Sequence, residues 1–343
     1  MSDSPPPPGD DRPPVPQGWS SPAPQGRQSG DAPPGSPLHG RLQPMNVADV
    51  LDGMFRLLVR DWRTYVLALG IVLVPLNLLS SFSNYRLTGG LGLLDTLQDP
   101  SANQAVLGSG ADVAGLVTLF GVTALASLLV TPFINGLATR IAAEGYLGEK
   151  PQPGESLRYT AGRYLSLLGT LLLLGLTAIA MLIPAFVLLF VAANAELAPL
   201  AIVAVLALLF TVLAMIPLFS LAFPAVIVER TSPLTAVKRS FALGRRRFWG
   251  IMGIVILATI IGGIVGQVLS LLFSLPGQLL GDEAGLVLTA VGGVIGGLFS
   301  TPLTAAAQTL LYFDGRIRHE GMDLEIAAQQ LRGDPHATGG FTG

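Results

Sequence analysis

Six long apolar segments, separated by short polar loops, constrain this chain more than any other feature. A helix needs about 20 mostly apolar residues to cross the hydrocarbon layer of a bilayer, and each segment approaches or exceeds that length. Charged residues make up only 12% of the chain, against about 25% in soluble domains. The pattern predicts an all-α, polytopic membrane protein with six transmembrane helices. The expected spans cover residues 66–82, 113–138, 165–193, 200–228, 249–275 and 284–313.

A fixed interval from a proline to an acid occurs in every second apolar segment. The pairs are Pro132 and Glu144, Pro217 and Glu229, and Pro302 and Asp314. Each acid follows its proline by 12 residues, and 217 − 132 and 302 − 217 both equal 85. A constant period with constant internal offsets is typical of a repeated structural unit. We therefore expect three equivalent hairpins with pseudo-threefold character, the prolines at similar depth and the acids at one edge.

A short amphipathic segment precedes each expected hairpin. The first follows a capping residue, Asn46, and the third starts with Ser232 and Pro233, a common helix start. Their apolar positions at helical spacing are Val47, Val50, Leu51, Met54, Leu57 and Leu58; then Leu157, Tyr159, Ala161 and Tyr164; then Leu234, Val237, Phe241 and Phe248. We expect three interfacial helices, each followed by an aromatic residue (Trp62, Tyr164 or Phe248) that points into the lipid interface.

Lys and Arg are distributed unevenly between the two sides of this topology. Outside the N-terminal tail, 17 of them fall in segments on one side, and only Arg86 falls on the other. Cytoplasmic loops carry the excess of positive charge in membrane proteins. The sequence thus predicts a bacterial plasma-membrane protein with both termini in the cytoplasm.

The ends of the chain have a different composition from the membrane domain, expected over residues 41–331. Residues 1–40 are rich in proline and contain no apolar run, so we expect a disordered cytoplasmic tail. Its Pro5–Pro8 run would suit a proline-recognising partner, although an inert tail is the favoured interpretation. Residues 332–343 are expected to form a disordered C-terminal tail, after a polar helix that includes Leu324 and Leu331.

The repeated acids allow two interpretations. In the first, they form a ring that gates a cation path, with proline-broken helices around a central cavity. In the favoured interpretation, Glu144, Glu229 and Asp314 pair with nearby arginines at the membrane edge, and the prolines only kink the helices. The expected partners are Arg140, Arg230 and Arg316.

Basic residues of the third interfacial segment are candidates for contact with anionic lipid head groups, each contributing about 1 kcal/mol near a membrane surface. They are Lys238, Arg239, Arg245, Arg246 and Arg247. The positive-inside rule alone also accounts for them. Glycines at small-xxx-small spacing near Gly266 and Gly296 predict a tight crossing of spans five and six, or self-association through the same faces.

Catalytic chemistry has little support in this sequence. There is no cysteine, and there are only three histidines. No phosphate-binding, metalloprotease or serine-hydrolase motif occurs. We therefore expect no enzymatic activity, no catalytic residue, no cofactor, no metal site and no nucleic-acid partner.

Three stretches of the sequence together resemble a known bacterial family. They are LQPMNVADVLDGMFRLLVRDW, FPAVIVERTSPLTAVKRSFALGRRRFW and TPLTAAAQTLLYFDGRIRHEGMDLE. Over residues 41–331 they are similar to the multi-pass family named for the membrane domain of glycerophosphoryl diester phosphodiesterase. The resemblance implies an integral membrane domain. It does not imply phosphodiesterase activity, because the chain lacks that enzyme's soluble domain and its metal-binding cluster.

Two functions remain the main alternatives. The favoured one is a non-catalytic membrane scaffold or accessory module in envelope lipid handling, whose partners are membrane lipids, membrane proteins or a second copy of the chain. The other is a small transporter or channel with a path between the proline-kinked even spans. A water-filled internal cavity lined by Asn135, Ser220 and Gln308 would favour the transporter, and a closed bundle would favour the scaffold.

Overall fold

The computed structural model of the protein describes residues 45–88, 113–194, 198–280 and 283–320. This part of the chain folds into nine helices and contains no strand. The helices are α1 (Val47–Thr88), α2 (Val113–Tyr146), α3 (Pro153–Gly162), α4 (Tyr164–Asn194), α5 (Ala198–Phe219), α6 (Ala222–Glu229), α7 (Pro233–Arg246), α8 (Phe248–Leu280) and α9 (Glu283–Glu320). The expected tails, the loop around Gly90 and the polar helix near Leu324 lie outside the described residues.

Six of these elements are long and apolar enough to cross a membrane, when α5 and α6 are counted together. They are α1, α2, α4, α5 with α6, α8 and α9. The prediction of an all-α, multi-pass membrane protein with six spans is therefore confirmed. Consecutive spans pack as three hairpins, α1 with α2, α4 with α5, and α8 with α9.

Each hairpin begins with a shorter amphipathic helix, as the sequence predicts. The first is the opening part of α1, the second is α3 and the third is α7. One residue with non-helical backbone angles separates each of them from the following span: Asp61 (φ −110°, ψ 20°), Arg163 (φ −107°, ψ 3°) and Arg247 (φ −133°, ψ 44°). The next residue is in each case the aromatic, Trp62, Tyr164 or Phe248. The three units thus share one bend between surface helix and span.

The aromatics differ in their surroundings. Trp62 is exposed, with 52% of its surface accessible, which suits the expected position in the lipid interface. Tyr164 instead packs on α2: its hydroxyl donates to the Leu129 carbonyl (3.0 Å), and its ring meets Phe133 edge-on. The expected position of Tyr164 in the lipid interface stays a prediction. Its hydroxyl finds a backbone acceptor within the protein.

The core lies where the even spans meet. The segments from each proline to its acid, residues 132–144, 217–229 and 302–314, are mostly buried. Helix α9 is the central element, because it packs against α8, α1 and α2 and also touches α6. The interval that repeats in the sequence is therefore the part of each unit that faces the other two units.

Glycines allow α8 and α9 to cross closely. A Cβ on Gly266 would lie 2.8 Å from the carbonyl oxygen of Gly296, and a Cβ on Gly296 would lie 2.7 Å from that of Gly266. Any larger residue at either position would force the helices apart. The predicted tight crossing of spans five and six is confirmed, while self-association stays a prediction.

The fourth span is not one continuous helix, contrary to the expectation for residues 200–228. Helix α5 ends at Phe219, a turn at Ser220 and Leu221 follows, and α6 begins at Ala222. Pro217 lies just before this break, whereas Pro132 and Pro302 lie inside continuous helices. Helix α7 compensates for the break, because Ser240 Oγ donates to the Leu218 carbonyl at 2.5 Å. Neighbouring side chains of this kind satisfy the carbonyls that a broken helix leaves free.

Candidate functional site

The three repeated acids lie together at one end of the bundle, which we call the charged end (Glu144, Glu229, Asp314 and their partners). The side chains of Glu144 and Asp314 are buried, only 8% and 3% exposed, and that of Glu229 is 14% exposed. We expected them at a membrane edge. That depth stays a prediction, and the structure adds that the carboxylates are enclosed by protein, where the amphipathic helices pack over the ends of the even spans. Charges in such surroundings require partners.

Glu144 connects α2 to α3. Its carboxylate pairs with Arg140 Nη2 at 2.5 Å, which confirms the expected partner one helical turn away. Ser156 on α3 donates a second hydrogen bond at 3.2 Å. The Arg140 guanidinium also lies 4.1 Å above the ring of Tyr159. These contacts hold the second amphipathic helix against the end of the first hairpin.

Glu229 connects α6 to α7 and α9. Its predicted partner, Arg230, is wrong: the carboxylate pairs with Arg239 of α7 at 2.5 Å and lies 3.6 Å from Arg316 of α9. Arg239 Nε also donates to the Tyr312 hydroxyl at 3.3 Å. Burial lowers the pKa of Arg239, but the hydrogen bonds to Tyr312 and Glu229 outweigh it and raise the pKa above its ordinary value. The guanidinium therefore stays charged.

Asp314 connects α9 to the start of α1 and the end of α7. Its predicted partner, Arg316, is wrong, because that side chain reaches Glu229 instead. Asp314 pairs with Arg247 at 2.5 Å and with Arg318 at 2.8 Å. It also accepts the backbone N–H of Met45 at 2.7 Å. Arg318 donates to the Met45 carbonyl at 2.9 Å, so both the N–H and the carbonyl group of Met45 are hydrogen-bonded.

These contacts form three clasps, each joining the acid of one unit to the amphipathic helix of the next. Glu144 of the first unit holds α3, and Glu229 of the second holds α7. Asp314 of the third unit holds the start of α1, which returns to the first unit. The clasps therefore close a circle around the charged end. This circular arrangement is the clearest structural consequence of the repeat.

Two of the five basic residues suggested for lipid contact belong to this circle. Arg239 and Arg247 are partly buried in the clasps. Lys238, Arg245 and Arg246 are exposed on the outer face of α7. Contact between any of the five and anionic lipid stays a prediction. The buried face of α7 agrees with the expected stripe at Val237 but differs at Leu234, which is 55% exposed; the other buried residues are Ala236, Ser240, Leu243 and Gly244.

A cavity of about 440 Å³ lies beside the break in the fourth span. Its walls come from α2, α4, α5, α6, α8 and α9, and most of the lining side chains are isoleucine, phenylalanine, valine and leucine. Four polar side chains also line it: Asn135, Ser220, Thr259 and Gln308. Three of these are the residues that the sequence suggested for an internal cavity.

We call this the lateral cavity, because an exposed side chain of its lining lies part-way along a span rather than at an end of the bundle. Thr259 and the half-exposed Ile260 lie at its edge on α8. They follow the start of α8 by 11 and 12 residues, about 17 Å along a helix that rises roughly 1.5 Å per residue. That height falls within the expected hydrocarbon layer of roughly 30 Å.

Ser220 carries a buried polar group in the cavity that has no hydrogen-bond partner in the described part of the chain. Ser220 is buried, with 8% of its surface exposed, and its Oγ makes no hydrogen bond. Its backbone N–H still donates to the Ile216 carbonyl at 3.1 Å, so only the side chain is free. Asn135 Nδ2 donates to the Thr131 carbonyl at 3.0 Å. Ser220 is therefore available to a ligand in the cavity.

Chemistry at a metal centre has no visible basis here. Among the described residues, no group of three or more His, Cys, Asp or Glu side chains is placed to hold a metal ion. The polar cavity residues are an amide pair and two hydroxyls, with no acid or base near Ser220 in the lining.

Comparison with known families gives one match. The model of a family described as a domain of unknown function (DUF7847) matches residues 60–314. The chain belongs to this family. The match includes all three clasp acids and the whole lining of the cavity. Comparisons with curated proteins and with solved structures gave no match.

Sequence reasoning missed several partners at the charged end. Tyr159, Ser156 and Tyr312 support the clasps, and Met45 closes the circle. Tyr312 had a weak signal, since a tyrosine hydroxyl in an apolar run requires a partner. No sequence signal indicates Met45, because it binds Asp314 through its backbone N–H and lies 269 residues away along the chain.

Proposed function

We propose that this protein is a non-catalytic, multi-pass protein of the bacterial plasma membrane that binds a lipid-like molecule and serves envelope lipid handling. One observation carries the proposal: the lateral cavity is lined by apolar side chains around a buried, unpartnered Ser220 hydroxyl. The resemblance of the sequence to the family named for the phosphodiesterase membrane domain stays a prediction, because the family that matches is described as a domain of unknown function.

The cavity has the properties of a ligand site. Small-molecule sites typically enclose about 300–1,000 Å³ and combine mostly apolar walls with a few polar groups. Leaving a buried hydroxyl without a partner costs about 1–3 kcal/mol, and a bound ligand would recover that free energy. A lipid-like molecule fits both features, since its chain contacts the walls and its ester or hydroxyl groups meet Ser220, Asn135 and Gln308.

The orientation of the protein is part of the proposal. The charged end carries most of the basic residues counted from the sequence, so we assign it to the cytoplasm. Both chain termini then lie in the cytoplasm, and the mouth of the cavity lies within the membrane. Partners among membrane proteins and self-association remain compatible with this arrangement.

Lipid retention through purification tests the proposed binding. The variant Ser220→Leu fills the cavity and removes the hydroxyl, and Gln308→Leu removes the amide. We expect both to lose a lipid species that mass spectrometry detects in the unaltered protein. Val268→Leu, on an exposed face of α8 (54% accessible), is the matched control. Equal retention by all four proteins would contradict the proposal.

A transporter is the second candidate, favoured by the break in the fourth span. The turn at Ser220 and Leu221 lines the cavity, and discontinuous helices often form substrate sites in transporters. Reconstituted vesicles separate the two functions. Transfer of lipid or solute across the vesicle membrane, lost in Ser220→Leu, would support transport, whereas binding without transfer would support a lipid-binding module.

A further inference from the structure

A second concave site lies at the charged end, on the outer side of α3. Its volume is about 440 Å³, and its lining is Glu155, Arg158, Tyr159, Gly162, Arg163 and Arg230. This lining shares no residue with that of the lateral cavity. Three guanidinium groups and one carboxylate therefore surround a pocket at the membrane-facing end of a surface helix.

The charges in this pocket are not balanced by carboxylates. Arginines of the clasps, such as Arg140 and Arg247, pair with acids at 2.5 Å. In the described ranges of the chain, by contrast, no carboxylate lies within 4.0 Å of the guanidinium nitrogens of Arg158, Arg163 or Arg230. Glu155 is thus near the three arginines without neutralising them through an ion pair. The pocket offers guanidinium donors to an anion.

The walls of the pocket are held in place by contacts within the protein. Tyr159 donates from its hydroxyl to the Ile227 carbonyl at 2.8 Å. The guanidinium groups of Arg230 and Arg140 lie 5.4 Å and 4.1 Å from the centroid of its ring. Arg163 Nη1 donates to the Arg230 carbonyl at 2.8 Å, and this contact joins the two arginines. Preorganised donors of this kind bind an anion without a large loss of side-chain entropy.

The backbone of Arg230 is unusual. It adopts the left-handed conformation (φ 55°, ψ 33°) at the end of α6, and it is the only non-glycine residue with positive φ in the described part of the chain. Glycine is the usual residue at such a helix end, because a side chain there strains the backbone. The strained conformation places an arginine side chain at the pocket wall, where glycine would contribute no charge.

We propose that this pocket binds a phosphate group, presented by an anionic lipid head group or by a soluble phosphorylated molecule. Guanidinium groups recognise phosphate with paired, charge-assisted hydrogen bonds. The pocket lies at head-group height, because Arg163 immediately precedes the span that begins at Tyr164. A lipid is therefore the expected source. The site is independent of the lateral cavity, so its failure would leave the proposed function untouched.

Binding measurements on the purified full chain test this site. The ligands are a short-chain phosphatidylglycerol, glycerol 3-phosphate and inorganic phosphate, each followed by native mass spectrometry or calorimetry. We expect Arg158→Gln with Arg230→Gly to weaken lipid binding at least about tenfold, through loss of two charged donors. The charge-matched control is Arg56→Gln with Arg86→Gln, two exposed arginines of α1 that lie outside the pocket lining, for which we expect less than about a twofold change.

Each outcome of this experiment decides the proposal or the source. Selective loss with the lipid alone supports a head-group site. If the pocket variant also loses binding of glycerol 3-phosphate or inorganic phosphate, while the control does not, the result supports a site for soluble phosphate. Equal loss in the two variant pairs would mean diffuse surface charge and overturn the proposal, as would no loss in either.

The pocket variants are expected to fold. Glycine suits the left-handed backbone at position 230, and Arg158 is exposed on α3. Thermal unfolding checks this directly. If the double variant unfolds early, the comparison of Arg158→Gln alone with Arg56→Gln alone provides the same test, with an expected loss of about fivefold against less than about twofold.

Discussion

At the scale of single residues, Asp314 is the most buried of the three acids at the charged end. Its side chain is 3% exposed and meets two guanidiniums and one backbone N–H. A buried carboxylate persists only where opposite charge and hydrogen-bond donors surround it. Removing one member of a buried ion pair leaves the others without compensation, at a cost of about 3–5 kcal/mol. We therefore expect the loss of Asp314 to lower the free energy of unfolding more than the loss of Glu144 or Glu229.

We expect Asp314→Asn to lower the free energy of unfolding by about 2–3 kcal/mol. The value lies below the usual range because Arg247 and Arg318 are 31% and 30% exposed, so water can partly solvate them. Asp52→Asn is the control, since it removes a carboxylate that is 73% exposed and pairs with Arg56. That change should cost under about 1 kcal/mol. Denaturant unfolding in detergent gives both values, and equal costs would contradict the clasp.

The sequence predicted the acids of the clasps better than their partners. The twelve-residue offset identified Glu144, Glu229 and Asp314, and Arg140 followed because residues four apart on a helix are neighbours. Arg239 and Arg247 were not identified as partners. They lie 10 and 67 residues from Glu229 and Asp314, on a different helix. Only the packing of α7 over the bundle brings them close, and periodicity does not report such packing.

At the scale of elements, α8 and α9 pack with several close backbone approaches at glycines. Apolar faces gain little from burial inside a bilayer, so small residues and close packing stabilise helix pairs there. Gly262 adds to the same face, since a Cβ on it would lie 3.3 Å from the Ser300 carbonyl oxygen. This pair positions Thr259 and Gln308, which line the cavity from α8 and α9.

We expect Gly266→Ala to separate α8 from α9 and to lower the free energy of unfolding by about 1–3 kcal/mol, as overpacking does in other cores. The new Cβ would meet the Gly296 carbonyl oxygen at 2.8 Å, and a backbone atom cannot rotate away. Gly263→Ala is the control, because no atom lies within 4 Å of its Cβ position. Thermal unfolding in detergent compares the two variants; a loss in the control that matches Gly266→Ala would contradict close packing as the cause.

The six spans were predictable as elements, whereas the break in the fourth was not. Pro132, Pro217 and Pro302 look equivalent in sequence, but only Pro217 lies next to a broken helix. Tertiary packing accounts for the difference between Pro217 and the other two prolines. Ser240 and Gly244 of α7 approach the backbone at Pro217 and Leu218, so the carbonyls near the break have a partner. The cavity beside the break was only a conditional expectation, since its existence depends on this packing.

At the scale of the whole molecule, the predicted orientation is open to direct measurement. The chain has no cysteine, so single cysteines can be introduced at will. Gly90→Cys, Ala195→Cys and Asp282→Cys fall in the sequence loops opposite the charged end. We expect impermeant thiol reagents to label them on intact cells. Gly154→Cys on α3 is the control and should react only after the membrane is permeabilised. The reverse pattern would refute the orientation.

The three clasps also predict how the molecule loses stability. Each acid fastens the amphipathic helix of the following unit, and the third returns to the first, so the units form a closed circle. Opening a closed circle at one point relaxes the constraint on the other two points. Removing a second clasp should then lower the free energy of unfolding by less than removing the same clasp from an intact circle. Three independent clasps would behave differently, since distant and independent changes add within about 0.5 kcal/mol.

A double-mutant cycle distinguishes these possibilities. We expect Glu229→Gln combined with Asp314→Asn to lower the free energy of unfolding by at least about 1 kcal/mol less than the sum of the two single changes. Glu144→Gln combined with Asp314→Asn should show the same sign, because Glu144 and Asp314 belong to the same circle without sharing a partner. Asp52→Asn combined with Asp314→Asn is the control and should be additive, since the exposed Asp52 pair lies outside the circle. Additivity in all three cycles would show that the clasps act separately and that the circle has no cooperative role.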